Sequence, residues 1–212
     1  MNYTIRLETE NDYHAVEALT REAFWNLYKP GCDEHYLVHT IRNSPDIIRD
    51  LNYVVEHEGQ IIGYILYTVS QVSNEAGKTI RTATFGPVCI HPDFQRKGIG
   101  TALINHTKNI VIEKGFPAII ILGDPHNYCV HGFKTGRDYH VGNDEGKYPL
   151  GLLVLELEKG VFDGHQWTFR ESDDYNIDFS PVEEYDRRFP PKKKRYQHSQ
   201  TLYEMLIRAV LE

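Results

Sequence analysis

Only three cysteines occur, Cys32, Cys89 and Cys129, widely spaced and without a Cys-x-x-Cys pair. An odd, scattered set suits neither a disulfide framework nor a cysteine zinc site, so a reducing cytosol is expected. No apolar run approaches the length of a membrane span, and the opening residues, Met1 to Arg6, carry no apolar signal core. The chain is therefore read as cytoplasmic, with no membrane partner. An excess of basic residues is also missing, since 23 lysines and arginines stand against 30 aspartates and glutamates, a net charge of -7. A dedicated nucleic-acid binder needs a net basic face to displace counterions from phosphates, so that class is disfavoured. Internal repeats and long low-complexity tracts are absent too. What remains, 212 residues at 41% hydrophobic and 25% charged, suits one well-filled α/β core, or a core with an appendage.

Residues 3–7 read as a short strand, and the Glu8 to Asp12 stretch supplies turn and capping chemistry for a helix. That helix carries Val16, Leu19, Phe24 and Leu27 on one stripe and ends before Lys29-Pro30-Gly31. A second helix over 33–42, with Tyr36, Leu37 and Ile41 on one side, is closed by Asn43-Ser44-Pro45. Residues 53–57 and 61–69, joined by Glu58-Gly59, are aromatic and β-branched and predict a hairpin. A long strand over 79–90 follows, and its Gly86-Pro87 marks a bulge or a break in pairing. A buried helix ending near Gly115, a buried strand over 117–122 and a last core strand over 152–157 complete the pattern. Between them Asp124 and Pro125 predict the cap and first turn of a short helix stopped by Gly132. From Val161 the chain turns loop-like, and only residues 199–211 recover a helical period.

The most informative run is Gln95-Arg96-Lys97-Gly98-Ile99-Gly100-Thr101, between a strand and a helix. Two glycines two apart let the backbone approach a ligand, and a helix starting there aims unpaired N–H groups outward. Such a cradle takes an anion, and a pyrophosphate fits it. A dinucleotide fingerprint would instead place its glycines after the first strand of a βαβ unit.

This order of elements, with a Gln/Arg-x-x-Gly-x-Gly turn after the fourth strand, resembles the GNAT superfamily of acyl-CoA-dependent N-acyltransferases over residues 3–159. The likeness is strongest over residues 86–100 and over Leu122-Gly123-Asp124-Pro125 through Tyr128 to Gly132-Phe133. The latter is similar to a bacterial subgroup of GNAT acetyltransferases with a Leu-Gly-Asp-Pro turn. The resemblance implies an α/β (α+β) fold with a central mixed, mostly antiparallel sheet, splayed at strands 4 and 5 and flanked by helices. Residues 1–159 would form the acyltransferase domain. Residues 160–212 would be a C-terminal extension, packed on the core or at an oligomer contact such as a homodimer. It further implies acetyl-CoA as acyl donor, its pyrophosphate on Gln95, Arg96, Lys97, Gly98, Ile99, Gly100 and Thr101. Its pantetheine arm would pair with Val88, Cys89 and Ile90, and Asn127 and Tyr128 would face the thioester. The chemistry implied is direct attack of a small-molecule primary amine in a ternary complex, with a backbone N–H of Val88 or Cys89 holding the oxyanion and Tyr128 protonating the thiolate.

A general base is not fixed. Residues 81–85 hold no carboxylate, and His91, Glu22, His126 or water remain open. Cys89 reads as a small buried hydrophobe. His126 and His131, five apart, lack helical metal spacing, so no metal is expected. The Lys192 to Arg195 run, flanked by prolines and acidic neighbours, reads as a solvated linker. Two further functions stay in view, a regulatory module that binds acyl-CoA without turnover and a protein acetyltransferase.

Overall fold

The computed structural model describes residues Met1–Glu212. In chain order the strands and helices are β1 (Thr4–Leu7), α1 (Tyr13–Phe24), α2 (Glu34–Ile41), β2 (Tyr53–His57), β3 (Gln60–Asn74), β4 (Thr79–Ile90), α3 (Ile99–Glu113) and β5 (Ala118–Leu122). Then come α4 (Pro125–Tyr128), β6 (Lys134–Thr135), β7 (Val141–Gly142), β8 (Tyr148–Pro149), β9 (Leu152–Glu156), β10 (Trp167–Arg170), α5 (Val182–Asp186), α6 (His198–Arg208) and β11 (Val210–Leu211). The main sheet runs β1-β2-β3-β4-β5-β9-β6. Every pair along it is antiparallel except β4 with β5.

Strand β3 is buried on both faces, and its alternation sorts the core. Ile65 and Tyr67 join Leu103, Ile104 and Val111 of α3 on one side. Tyr64 and Leu66 join Val16 and Leu19 of α1 and Val38 and Ile41 of α2 on the other. Full burial of each such side chain stabilises the fold by roughly 1.5–3 kcal/mol. The buried stripe of α2 is His35, Val38 and Ile41, whereas Tyr36 and Leu37 are only half-buried. The stripe is displaced from the sequence expectation because Tyr36 turns toward Tyr185, ring centroids 5.2 Å apart. Helix α1 stops at Phe24, before Leu27, where Trp25 leaves the helical region at ψ 118°.

The C-terminal segment is woven into this architecture. β10 pairs antiparallel with the far end of β3, Trp167 opposite Asn74 and Arg170 opposite Gln71. Phe162, Trp167 and Phe169 cover Ala118 and Ile120 of β5, the residues that face away from α3. α5 is fixed to the N-terminal helices by polar contacts. Arg21 donates to both carboxylate oxygens of Asp186, at 2.6 and 3.0 Å. The Tyr185 hydroxyl donates to Glu17 Oε2 at 2.7 Å, and Glu17 in turn accepts from Arg42 at 2.5 Å. The Lys192 to Arg195 run is solvated, with Lys193, Lys194 and Arg195 exposed, and it is also a strap pinned to the N-terminal helices. The Lys193 carbonyl accepts from Trp25 Nε1 and Asn26 Nδ2, both at 3.1 Å, while Lys192 and Lys194 pair with Glu22 and Glu183.

Candidate active site

β4 and β5 touch at one register pair, Ala83 with Ile119, and at the bond from the Thr84 hydroxyl to the Ile120 carbonyl, 2.8 Å. Beyond this point they are not paired. On its other edge β4 bulges, because Ile65 stands opposite Val88 and Tyr67 opposite Phe85, leaving Gly86 and Pro87 across from Leu66 alone. The Gly86–Pro87 peptide is cis. After the bulge, His91 N–H donates to the Ile62 carbonyl at 2.8 Å. In an antiparallel ladder, residues alternate between facing the partner strand and facing away. Cys89 therefore directs its backbone groups to β3, and Val88 and Ile90 direct theirs into the gap beside β5. The Ile90 carbonyl accepts from Gln95 Nε2 at 3.0 Å on that open side. Cys89 is buried, its thiol 3.7 Å from the Thr20 hydroxyl and pushed up to about 12 by burial, which leaves it a packing group with no nucleophilic thiolate.

The Gln95 to Thr101 run stands at the mouth of this gap. Arg96 and Gly98 adopt left-handed backbone, φ 61° and 79°, and Gly98 caps α3. A Cβ at Gly98 would meet nothing within 4 Å, so the demand there is conformational. The first bond of the helix is Ala102 N–H to the Gly98 carbonyl, 3.0 Å. The amides of Arg96 through Thr101 have no acceptor within the chain and are available to an anion. Gln95, Arg96, Lys97, Gly98 and Thr101 are exposed, whereas Ile99 is buried against α3's neighbours and contributes only its backbone.

At the far end of the gap, Asp124 accepts from His126 N–H at 2.9 Å and so caps α4, with Pro125 in the first turn. This places Tyr128 over Gly123. A Cβ on Gly123 would lie 2.5 Å from Tyr128 Cε2, so glycine is required for the ring to sit there. The ring packs against Phe85 of β4 and Phe133, centroids 5.6 and 5.9 Å away. Burial raises the phenol well above its ordinary value, and the hydroxyl makes no bond within the chain, so it stays protonated and free to donate.

Residues 16–133 match the sequence profile of the Acetyltransferase (GNAT) family. The chain belongs to this family. Among curated relatives it is 27% identical over 135 residues to the uncharacterized N-acetyltransferase YhbS of Escherichia coli, spanning 64% of this chain and 75% of that protein. It is 26% identical over 136 residues to the acetyltransferase ECA0875 of Pectobacterium atrosepticum, 64% of this chain and 86% of that one. The fold is that of YhbS in complex with CoA, with TM-score 0.71, 21% identity and coverage of 84% and 93% of the two chains. It is shared also with a GNAT family acetyltransferase of Brucella melitensis in complex with acetyl-CoA, with TM-score 0.64, 22% identity and coverage of 82% and 98%. GNAT enzymes are acyltransferases, and a mixed, mostly antiparallel sheet flanked by helices is the expected arrangement, to which the structure adds that the β4–β5 contact is parallel.

Next to the Tyr128 end of the GNAT core lies a cavity of about 970 Å³, with Leu122, Gly123, Asp124 and Asn127 in one wall. Tyr28 and Tyr203, stacked with centroids 4.3 Å apart, form a second wall, and the segment from Phe169 to Asp173 a third. Two carboxyl groups here are desolvated. Burial raises Glu171 from its ordinary value, and it raises Glu34, a neighbour of Tyr28 and Tyr203, to about 7. Neither stood out in the sequence, where nothing distinguishes them from solvated glutamates. The groups considered there lie elsewhere. Glu22 is ion-paired with Lys192 at 2.6 Å, His91 caps the turn before the cradle, and His126 is exposed on α4. No three His, Cys, Asp or Glu side chains are grouped to hold a metal ion.

Proposed function

We propose that the protein moves an acetyl group from acetyl-CoA to a primary amine by direct attack in a ternary complex. The observation that carries this reading is the run of open backbone groups, from the free amides of Arg96 to Thr101 to the outward-facing Val88 and the Ile90 N–H, the Ile90 carbonyl being held by Gln95, with Tyr128 at the other end of the gap. The cradle has the donors and the helix dipole for a pyrophosphate. Val88 and Ile90 can continue the sheet with the amides of a pantetheine arm. Bound that way, the thioester reaches the bulge, where Val88 N–H is the donor for the developing oxyanion. The amine nitrogen attacks the carbonyl carbon, the C–N bond forms, and collapse breaks the C–S bond. Tyr128 gives its proton to the departing thiolate and regains one from the acylated nitrogen through solvent. The proton that the ammonium lost beforehand leaves through water in the cavity. One proton is released per turnover. The three free cysteines agree with a cytoplasmic enzyme.

Acetyl-CoA affinity of wild-type protein and of Gly100→Glu tests the cradle. A Cβ at Gly100 meets only Ile90 Cγ1 at 3.7 Å, so the change is tolerated by the fold and places an anion among the free amides. Affinity is expected to fall by about 100-fold or more, by charge repulsion and lost donors. Unchanged affinity would place the donor elsewhere.

A further inference from the structure

The large cavity is only partly built by the GNAT core, and its remaining wall comes from the C-terminal segment, chiefly Phe169, Glu171, Asp173, Tyr203 and Leu206. Its size lies within the range of small-molecule sites. Its charges are unequal in availability. Asp144 is taken by Arg170, the one basic residue of the lining, at 3.1 Å, and Asp124 is occupied with the cap of α4. Glu171 is half-buried and makes no hydrogen bond or ion pair within the chain. The same segment reaches the reaction end, because the Tyr175 hydroxyl donates to the Gly86 carbonyl at 2.8 Å and the charge of Glu171 is felt at that phenol. A carboxylate removed from water without a partner is costly, and a cation of the ligand relieves that cost. Around it the surfaces of Phe169, Tyr28, Tyr203 and Leu206 suit an apolar body.

We propose that this cavity is the acceptor site, that its occupant is a small primary ammonium ion with an apolar body and no carboxylate, and that Glu171 of the C-terminal segment is the positioning residue that holds the ammonium group. The choice of an amine rests on the acetyl-transfer reading given above. An acceptor bearing its own carboxylate is disfavoured by Glu171 and Asp173, because the one cation of the lining, Arg170, is already paired with Asp144.

The test is calorimetric titration of the full-length protein, saturated with CoA, with 2-phenylethylamine, with its neutral isostere 2-phenylethanol and with phenylalanine. The amine is expected to bind, with the alcohol and the amino acid each weaker by about tenfold or more. In Glu171→Gln the amine should weaken by about 10- to 100-fold while the alcohol and CoA bind as before. Loss of discrimination between amine and alcohol is a change that a merely structural residue would not produce. The comparison of ligands within the wild-type protein needs no variant. Equal binding of amine and alcohol, no amine binding, or an amine affinity indifferent to Glu171→Gln would each overturn the proposal. If the amine binds as expected and is not acetylated, the acyl-transfer reading fails while the site assignment stands.

Discussion

Replacing Gly123 by alanine tests how Tyr128 is held, without touching the tyrosine itself. The new Cβ would lie 2.5 Å from Cε2 and 2.9 Å from Cδ2 of the ring. Carbon atoms rest at about 3.5–4.0 Å, so the ring must shift by about 1 Å. It has little room, since Phe85 and Phe133 close its other sides and Phe133 is 2% exposed. Gly123 does not occupy left-handed backbone, so alanine carries no conformational penalty and the effect is steric. Overpacking of this kind destabilises by about 1–3 kcal/mol. A misplacement of about 1 Å lowers turnover by about 100-fold. Steady-state thiol release gives kcat, urea denaturation gives stability, and acetyl-CoA affinity should stay unchanged because the cradle is remote. In the double variant with Tyr128→Phe the two losses should not add, because both remove the same donor. Wild-type kcat in Gly123→Ala would refute the placement of Tyr128 at the reacting thiolate.

Other expectations follow from buried charge. Glu34 binds its proton more tightly in the folded protein, at about 7 against an ordinary 4.5, so the folded state holds the extra proton between these values and stability falls as pH rises through that window. At about 1.4 kcal/mol per pH unit the loss is at most about 3.5 kcal/mol, and Glu34→Gln should flatten the pH dependence of the urea midpoint across that same window; identical profiles would refute the burial of this carboxyl. Asp186→Asn leaves Arg21, 4% exposed, without its bidentate partner and should cost about 3–5 kcal/mol, whereas Lys194→Ala, half-exposed, should change stability by less than about 0.5 kcal/mol. Equal effects of the two in denaturant titration would contradict the anchoring of α5 described above.

Legibility of the chain in its sequence followed the range of the interactions involved. The β2–β3 hairpin, the bulge at Gly86-Pro87, the cradle around Gly98 and the Asp124-Pro125 cap are local patterns, written in turn residues and short periodicities. β10 was not legible, because Trp167 to Arg170 is short and its pairing with Gln71 to Asn74 joins distant parts of the chain. The pinning of the solvated lysine strap was not legible for the same reason, since its partners Trp25, Asn26 and Glu22 lie at the other end of the sequence. Around the candidate site, the free amides of Arg96 to Thr101 follow from a local glycine pattern, whereas Tyr128 was singled out by the resemblance of the Leu122 to Phe133 segment to the GNAT superfamily. Cys89 was grouped with Val88 and Ile90, but the parity of the ladder turns its amide to β3 and leaves the Val88 N–H on the open side. Glu34 and Glu171 escaped notice because desolvation belongs to the elements that cover a carboxyl and leaves no trace in its own neighbours.

The central claim is that an acyl-CoA lying between β4 and β5 gives its acetyl group to an amine with Tyr128 as proton donor. Radiolabelled acetyl-CoA, incubated with an amine panel and assayed together for acetylated amine and free thiol, tests it most directly. The account predicts equal amounts of both products, and in Tyr128→Phe a turnover lower by about 100-fold at unchanged acetyl-CoA affinity. Thiol release without acetylated amine, acetyl-CoA bound with no turnover on any amine, or undiminished turnover in Tyr128→Phe would contradict it.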